Sequence, residues 1–171
     1  MKPSQIAAQL YTLREFLKTP AEIEASLKKV KAIGYPAVQV SGMGPIPEAD
    51  LAKMLADIGL ICCATHESGD AILNHPQAVI SRLQALDCPH TAYPYPSVKL
   101  DTLEEVKAFA AGLNASGKLM KEAGITLSYH NHEVEFRRLE GKLILDWIYE
   151  LTDPRYLQGE PDTYWVQYGG G

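Results

Sequence analysis

The chain has 171 residues, of which 46% are hydrophobic and 22% charged, as in an ordinary globular domain with one hydrophobic core. The net charge of −5 argues against a basic surface that would bind a phosphate backbone, so we expect no nucleic-acid partner. No apolar run approaches the ~20 residues of a membrane span, and the first residues do not read as a signal peptide. We therefore expect no membrane partner and a cytoplasmic location.

The cysteine content also favours a cytoplasmic location. Cys62 and Cys63 are adjacent in an apolar run, and Cys88 stands alone. Neighbouring residues of a strand face opposite ways, so Cys62 and Cys63 should not bind one metal ion together. We expect free, buried thiols, as is usual in a reducing compartment.

Short apolar runs alternate with longer amphipathic segments along the chain. The predicted strands are Gln5–Leu10, Ala37–Val40, Leu60–Thr65, Pro89–Tyr93, Ile125–Tyr129 and Tyr156–Gly159. The predicted helices are Ala21–Ile33, Glu48–Ile58, Pro76–Leu86, Asp101–Ala123 and Leu143–Leu151. Gly34, Gly59 and Gly124 follow helices as C-terminal caps. Asp101 and Glu104 have the spacing of a capping box at the start of the longest helix.

This strand–helix alternation repeats six times, at roughly 30 residues per unit, and predicts a parallel sheet. The strand candidates are mostly apolar, as expected when helices cover both faces of a sheet. Six units fit either an open doubly wound sheet or most of an eight-stranded barrel, which usually needs about 250 residues. No glycine-rich dinucleotide-binding motif follows any strand. With no linker evident, residues 1–171 are predicted to form one continuous domain.

Polar residues follow several predicted strands, where parallel α/β proteins build their active sites. The richest group is His130, Asn131 and His132, which follows an apolar strand and precedes two glutamates. His130 and His132 lie two residues apart on an extended segment, so both side chains should reach the same cavity. Imidazole and carboxylate groups without thiolates suit Zn, Mn, Co or Fe. We interpret the isolated His75 and His90 as loop or core histidines.

Three stretches resemble motifs of one family, in the right order along the chain. They are Gln9–Arg14, Gly124–Phe136 and Glu160–Trp165. They resemble the first, fifth and sixth strand motifs of sugar phosphate isomerase/epimerases, within the xylose isomerase-like TIM-barrel family (AP endonuclease family 2 superfamily). The resemblance spans the chain and implies an α/β fold of (β/α)8 type. It implies that residues 1–171 form a single partial domain with about six units, continuing beyond the chain end in the complete protein.

The resemblance also implies a set of site residues. Family members hold one divalent metal ion through four side chains that follow strands five to eight, and His130 and Asp162 match the first two positions. The implied ion is Mn, Co, Zn or Mg. Many relatives have Glu where His130 stands, so a nearby carboxylate stays open as the ligand. The implied catalytic residues are His132, Glu135 and His66. The implied substrate-binding residues are Gln9, Tyr11, Arg14, Glu67, Asn131 and Trp165.

The implied activity is a sugar isomerase or epimerase of carbohydrate metabolism. It would remove a proton next to a carbonyl of a small sugar or polyol and return it through an enediolate. A metal-dependent dehydratase resembling the inosose dehydratases, or a non-catalytic sugar-binding fragment, stays open. Arg137 and Arg138 are expected on a solvated loop, which favours a sugar without phosphate.

The motifs of the last two strands are absent, which has two expected consequences. The chain alone should show little turnover, and it should self-associate as a homo-oligomer through exposed barrel edges. Endonuclease IV, a DNA-repair enzyme, shares the implied fold. The acidic composition argues against that role.

Overall fold

The computed structural model describes Lys2 and residues 5–171. These residues divide into two compact units whose segments are interleaved along the chain. The first unit runs up to His66 and includes Ser81–His90, and the second comprises Glu67–Ile80 and Thr91–Gly171. The helix α4 (Pro76–Ala85) contributes residues to both.

The first unit contains three parallel strands and the helices that connect them. The strands are β1 (Ala7–Gln9), β2 (Ala37–Val40) and β3 (Ile61–His66), with β2 in the middle. A 3-10 helix, Leu10–Phe16, follows β1, and α1 (Pro20–Ile33) and α2 (Glu48–Ile58) connect the strands. The core comes from one face of each helix and from β2, and includes Leu10, Leu27, Val38, Leu51 and Leu83.

Local sequence signals account for the bounds of the first two helices. Thr19 and Glu22 form a capping box at the start of α1, and Pro20 occupies its first position. Gly34 ends α1 with φ 112° and Gly59 ends α2 with φ 77°, left-handed conformations that favour glycine. The predicted caps Gly34 and Gly59 are confirmed, whereas the longest helix is capped by Ala123 and Gly124 follows it with φ 79°.

The second unit contains three further sheet strands. They are β4 (His90–Tyr93, apart from His90), β5 (Thr126–His130) and β8 (Gln158–Glu160), in the order β4-β5-β8. The remaining helices of this unit are α3 (Gly69–Asn74), α5 (Leu103–Glu122), α6 (Ile144–Leu151) and α7 (Thr163–Gly169). A 3-10 helix, Val134–Phe136, precedes a small antiparallel hairpin of β6 (Arg138–Leu139) and β7 (Lys142–Leu143). The buried core includes Tyr93, Phe109, Leu113, Leu127 and Tyr129.

The predicted cap of the longest helix is wrong by one residue. Thr102, not Asp101, is the N-cap: its hydroxyl accepts from the Glu105 N–H at 3.2 Å, and the Glu105 carboxylate accepts from the Thr102 N–H at 2.9 Å. Asp101 lies outside the helix and pairs with Arg137 at 3.2 Å. A threonine hydroxyl and a glutamate three residues on give the same reciprocal pattern, which competes with the Asp101–Glu104 alternative.

The predicted sixth strand is also displaced. The Tyr156 N–H donates to the Asp153 carbonyl in a turn, so pairing with β5 begins only at Gln158. The 3-10 helices, α3, α7 and the hairpin were not predicted, since each is too short for a helical or alternating pattern to show.

Cys62, Cys63 and Cys88 are all free thiols, as predicted; Cys62 and Cys88 are buried as expected, whereas Cys63 is only half-buried. Cys62 contacts the Ala64 carbonyl and Cys63 the Val38 carbonyl, so the adjacent thiols have different neighbours. Among the described residues, no helix combines the length and apolar character needed to cross a bilayer.

Candidate metal and substrate site

The ends of β5 and β8 place an imidazole between two carboxylates. His130 and Glu160 are the last residues of their strands and are paired in register. His130 Nδ1 lies 3.5 Å from a Glu160 oxygen, and His130 Nε2 lies 3.7 Å from Asp162 Oδ2. The His130 side chain is only 13% exposed, whereas both carboxylates are 31% exposed. One imidazole therefore has an acidic partner at each nitrogen.

The two carboxylate oxygens of Asp162 make different contacts. Oδ1 caps α7 by accepting from the Tyr164 N–H at 2.9 Å and the Trp165 N–H at 3.3 Å. This cap fixes the carboxylate, and Oδ2 is the oxygen that faces His130. The same side chain thus starts a helix and completes the polar group at the strand ends.

Asn131 connects the ends of β5 and β8. Its amide nitrogen donates to the Asp162 carbonyl at 3.3 Å, and its amide oxygen accepts from the Asp162 N–H at 3.0 Å. The side chain is 1% exposed. Because its amide serves the backbone of Asp162, the geometry supports a role in holding the site together.

Glu135 is a fully buried carboxylate next to this site. One oxygen accepts from the Tyr129 hydroxyl at 2.7 Å, and the other accepts from the His132 N–H at 2.8 Å. Burial raises the pKa of Glu135 above its ordinary value, and the two hydrogen bonds oppose that shift. Burial and the nearby Glu135 carboxylate raise the pKa of the Tyr129 hydroxyl. Glu135 fixes the turn that carries His132.

His132 is surrounded by rings. Its imidazole centroid lies 5.1 Å from that of His130, 5.0 Å from that of Tyr95 and 4.9 Å from that of Trp165. The short distance shows that the His130 and His132 rings lie side by side, and their access to one cavity stays a prediction. Trp165, predicted to bind substrate, lies against the same imidazole.

The first unit carries the predicted residues that follow β1. The Gln9 side chain accepts from the Tyr11 N–H at 2.6 Å, which caps the 3-10 helix. The Arg14 guanidinium lies 4.5 Å from the Tyr11 ring centroid. These three residues form a local group, with Tyr11 and Arg14 exposed.

His66, the last residue of β3, lines a cavity of about 600 Å³ in the first unit. The loop from Ser41 to Pro47 lines it, and so do Arg82 and Glu48, which form an ion pair at 2.5 Å. Glu67, the next residue, is half-buried and belongs to the second unit.

The sequence prediction overlooked Glu160 as a site residue. The signal was present, because Glu160 and Asp162 lie two residues apart around a predicted strand end. This is the same spacing that linked His130 with His132.

No protein-family model matches the sequence, and no curated protein matches it. Solved structures do match. A sugar phosphate isomerase/epimerase from Parabacteroides distasonis ATCC 8503 has 22% identity and a TM-score of 0.86, and the match covers 96% of this chain and 67% of that one. An L-ribulose 3-epimerase has 18% identity and a TM-score of 0.71, with 95% and 62% covered. A xylose isomerase-like TIM-barrel protein from Mycobacterium smegmatis, in complex with magnesium, has 13% identity and a TM-score of 0.64, with 95% and 66% covered.

These matches, which also include AP endonuclease family 2 proteins, confirm the predicted resemblance and fold. The chain has part of a (β/α)8 TIM-barrel fold, with three sheet strands described in each of its two units. It spans about two thirds of the length of the structures it matches.

Proposed function

We propose that this protein is a divalent-metal-dependent sugar or polyol isomerase/epimerase that moves a proton next to a carbonyl. The observation that carries the proposal is the position of His130 between Glu160 and Asp162 at the carboxyl ends of β5 and β8. Active sites of parallel α/β barrels form at this end of the strands. The structural matches to a sugar phosphate isomerase/epimerase and an L-ribulose 3-epimerase support the same reaction class.

The residues at this position fit a divalent cation. Imidazole and carboxylate groups without a thiolate suit Zn, Mn or Co, and the family resemblance adds Mg. His130 Nε2 and Asp162 Oδ2 already face each other at 3.7 Å. We assign these two atoms as ligands. In this arrangement Glu160 accepts the Nδ1–H of His130, which fixes the tautomer whose unprotonated Nε2 would coordinate the cation. A bound cation would polarise the carbonyl and neighbouring hydroxyl oxygens of an open-chain sugar.

The residues around this position have distinct roles in the proposal. His132 is the acid–base group, because its imidazole lies beside that of His130 and is half-buried. Glu135 holds the His132 backbone, and its burial favours a positioning role over direct proton transfer. His66 stays a predicted catalytic residue, in the cavity of the first unit.

The proposed substrate is a small sugar without a phosphate group. Arg137 is exposed and pairs with Asp101, and Arg138 is exposed and donates to the Gly141 carbonyl. Neither arginine extends from the strand ends that carry His130 and Asp162. A phosphate subsite therefore has no evident cation in this part of the second unit.

The experiment is hydrogen–deuterium exchange, followed by NMR. The purified chain is incubated in D2O at high concentration and for long times, because little turnover is expected from it alone. Ketopentoses, ketohexoses or inososes are added, with Mn, Co, Mg or Zn in turn. We expect metal-dependent loss of the C–H signal next to the carbonyl, decreased ~100-fold or more in His132→Ala. His75→Ala is the control, because that imidazole is 67% exposed and outside the site.

The products decide the reaction class. Exchange with an isomerised or epimerised product supports the proposal, whereas a dehydrated product would replace it with a lyase reaction. Exchange that needs no metal, or that His132→Ala leaves unchanged, would refute the assigned roles.

A further inference from the structure

Four aromatic side chains extend outward from His132 in the second unit. Tyr95, Tyr164, Trp165 and Tyr168 form this group, which we call the aromatic ledge. The Trp165 ring centroid lies 4.9 Å from that of His132, 4.9 Å from that of Tyr164 and 5.7 Å from that of Tyr168. Tyr95 touches the same imidazole from the β4–α5 connection. The ledge is therefore continuous with the candidate site.

Three of the four ledge rings are largely exposed to solvent, and the helix α7, which carries three of the four, is held in place at both ends. Tyr95, Tyr164 and Tyr168 are 52%, 63% and 67% exposed, whereas Trp165 is half-buried. The end of α7 rests on the Phe136 ring: a Cβ added at Gly169 would lie 2.6 Å from that ring, so only glycine allows this approach. Asp162 fixes the start of the same helix. Such exposed aromatic surface next to a polar site is typical of a binding surface.

The chemistry of the ledge selects a neutral ligand with flat apolar faces and hydroxyl edges. Residues 156–171 contain no lysine or arginine, and Glu160 and Asp162 make the adjacent rim acidic. A phosphate or carboxylate group would therefore be repelled. Pyranose rings have C–H faces that pack on aromatic rings, and tyrosine hydroxyls can bond their edges. Tyr164 and Tyr168 contact the Trp165 ring, which in turn contacts His132, so the ledge continues the ring contacts away from the candidate site and offers a surface to a second sugar ring.

We propose that the aromatic ledge binds the second sugar ring of a disaccharide or other glycoside, with the reacting ring at His130 and His132. The placement of the reacting ring rests on the proposed function. The binding of a sugar ring to the ledge does not require a metal or turnover.

The test uses Trp165 as the reporter. The chain has two tryptophans, and Trp147 lies elsewhere, with its indole N–H bonded to the Leu139 carbonyl. In a Trp147→Phe background with EDTA present, cellobiose or maltose should change Trp165 emission saturably and bind at least tenfold more tightly than glucose. Tyr168→Ala should weaken disaccharide binding roughly three- to tenfold, and Tyr168→Phe should restore it.

Phe16→Ala is the matched control, because Phe16 is 66% exposed but lies on the first unit, outside the ledge. Equal affinity for glucose and disaccharide, no saturable response, or no effect of Tyr168→Ala would overturn the proposal. If Trp165 emission changes with protein concentration alone and sedimentation shows dimers, the ledge is a self-association surface. That result would also overturn the proposal. Disaccharide binding without metal-dependent exchange would refute the proposed function and leave the ledge standing. Metal-dependent exchange without disaccharide binding would refute the ledge proposal and leave the proposed function standing.

Discussion

Glu135→Gln tests whether the buried carboxylate organises the site. In the protein, the two Glu135 oxygens each accept one hydrogen bond, from the Tyr129 hydroxyl and the His132 N–H. The glutamine amide has one acceptor oxygen, so it keeps one of these bonds and presents N–H groups to the other donor. A buried donor left unpaired costs about 1–3 kcal/mol. We expect Glu135→Gln to lower the free energy of unfolding by about 1–3 kcal/mol.

The raised pKa of Glu135 determines how its contribution to the free energy of unfolding changes with pH. Burial raises the folded-state pKa of Glu135 above its ordinary value of 4.5, so the folded protein retains this proton to higher pH than the unfolded chain. The stabilising contribution is fully present below pH 4.5 and is lost as the pH rises through the folded-state pKa. The stability difference between wild type and Glu135→Gln should therefore be largest at acidic pH and decrease toward neutrality.

The assay is urea unfolding followed by circular dichroism, at several values between pH 4.5 and neutrality. Glu104→Gln is the control, because its side chain is 81% exposed and its pair with Lys107 should contribute little. Combination with Tyr129→Phe should give less than the sum of the two single effects, since both remove the same hydrogen bond. Unchanged stability in Glu135→Gln at every pH, or a difference that grows toward neutrality, would refute the reasoning.

Three further outcomes are expected. Thr102→Ala should lower the unfolding free energy by about 1 kcal/mol in urea titrations, whereas Asp101→Ala should have a smaller effect; the opposite order would restore the predicted cap. Asn131→Ala should weaken Mn²⁺ binding measured by calorimetry, because the Asp162 backbone loses both amide contacts; unchanged affinity would remove its positioning role. If residues 1–171 are one domain, circular dichroism and tryptophan emission should report one coincident thermal transition, and two separate transitions would reject that proposal.

The sequence predicted the elements whose local signals are strong. Glu48–Ile58 was predicted with its observed bounds, because an amphipathic run ends at Gly59, whose positive φ favours glycine. The displaced β8 depends on a longer-range contact, because pairing with β5 decides where β8 begins. α7 was not predicted because its seven residues are too few for a helical pattern to show, although Asp162 is a local capping signal.

The candidate site was predictable as a group of residues but not as a geometry. His130 and His132 were identified from their place after a predicted strand and Asp162 from the family resemblance, and the second unit brings them together. The burial of Glu135 could not be predicted from its position in a polar stretch. It depends on hydrogen bonds with the Tyr129 hydroxyl and the His132 N–H, which only the folded chain provides. Glu160 could have been predicted as a site residue, because it lies two residues before Asp162.

The central claim is that His130 and Asp162 hold a divalent cation. Crystals of the chain grown with Mn²⁺ and measured for anomalous scattering test it most directly. The account predicts one strong anomalous peak bonded to the His130 and Asp162 side chains, which is absent from the His130→Ala and Asp162→Ala double variant. A peak bonded to other side chains, or one that persists in the double variant, would contradict it.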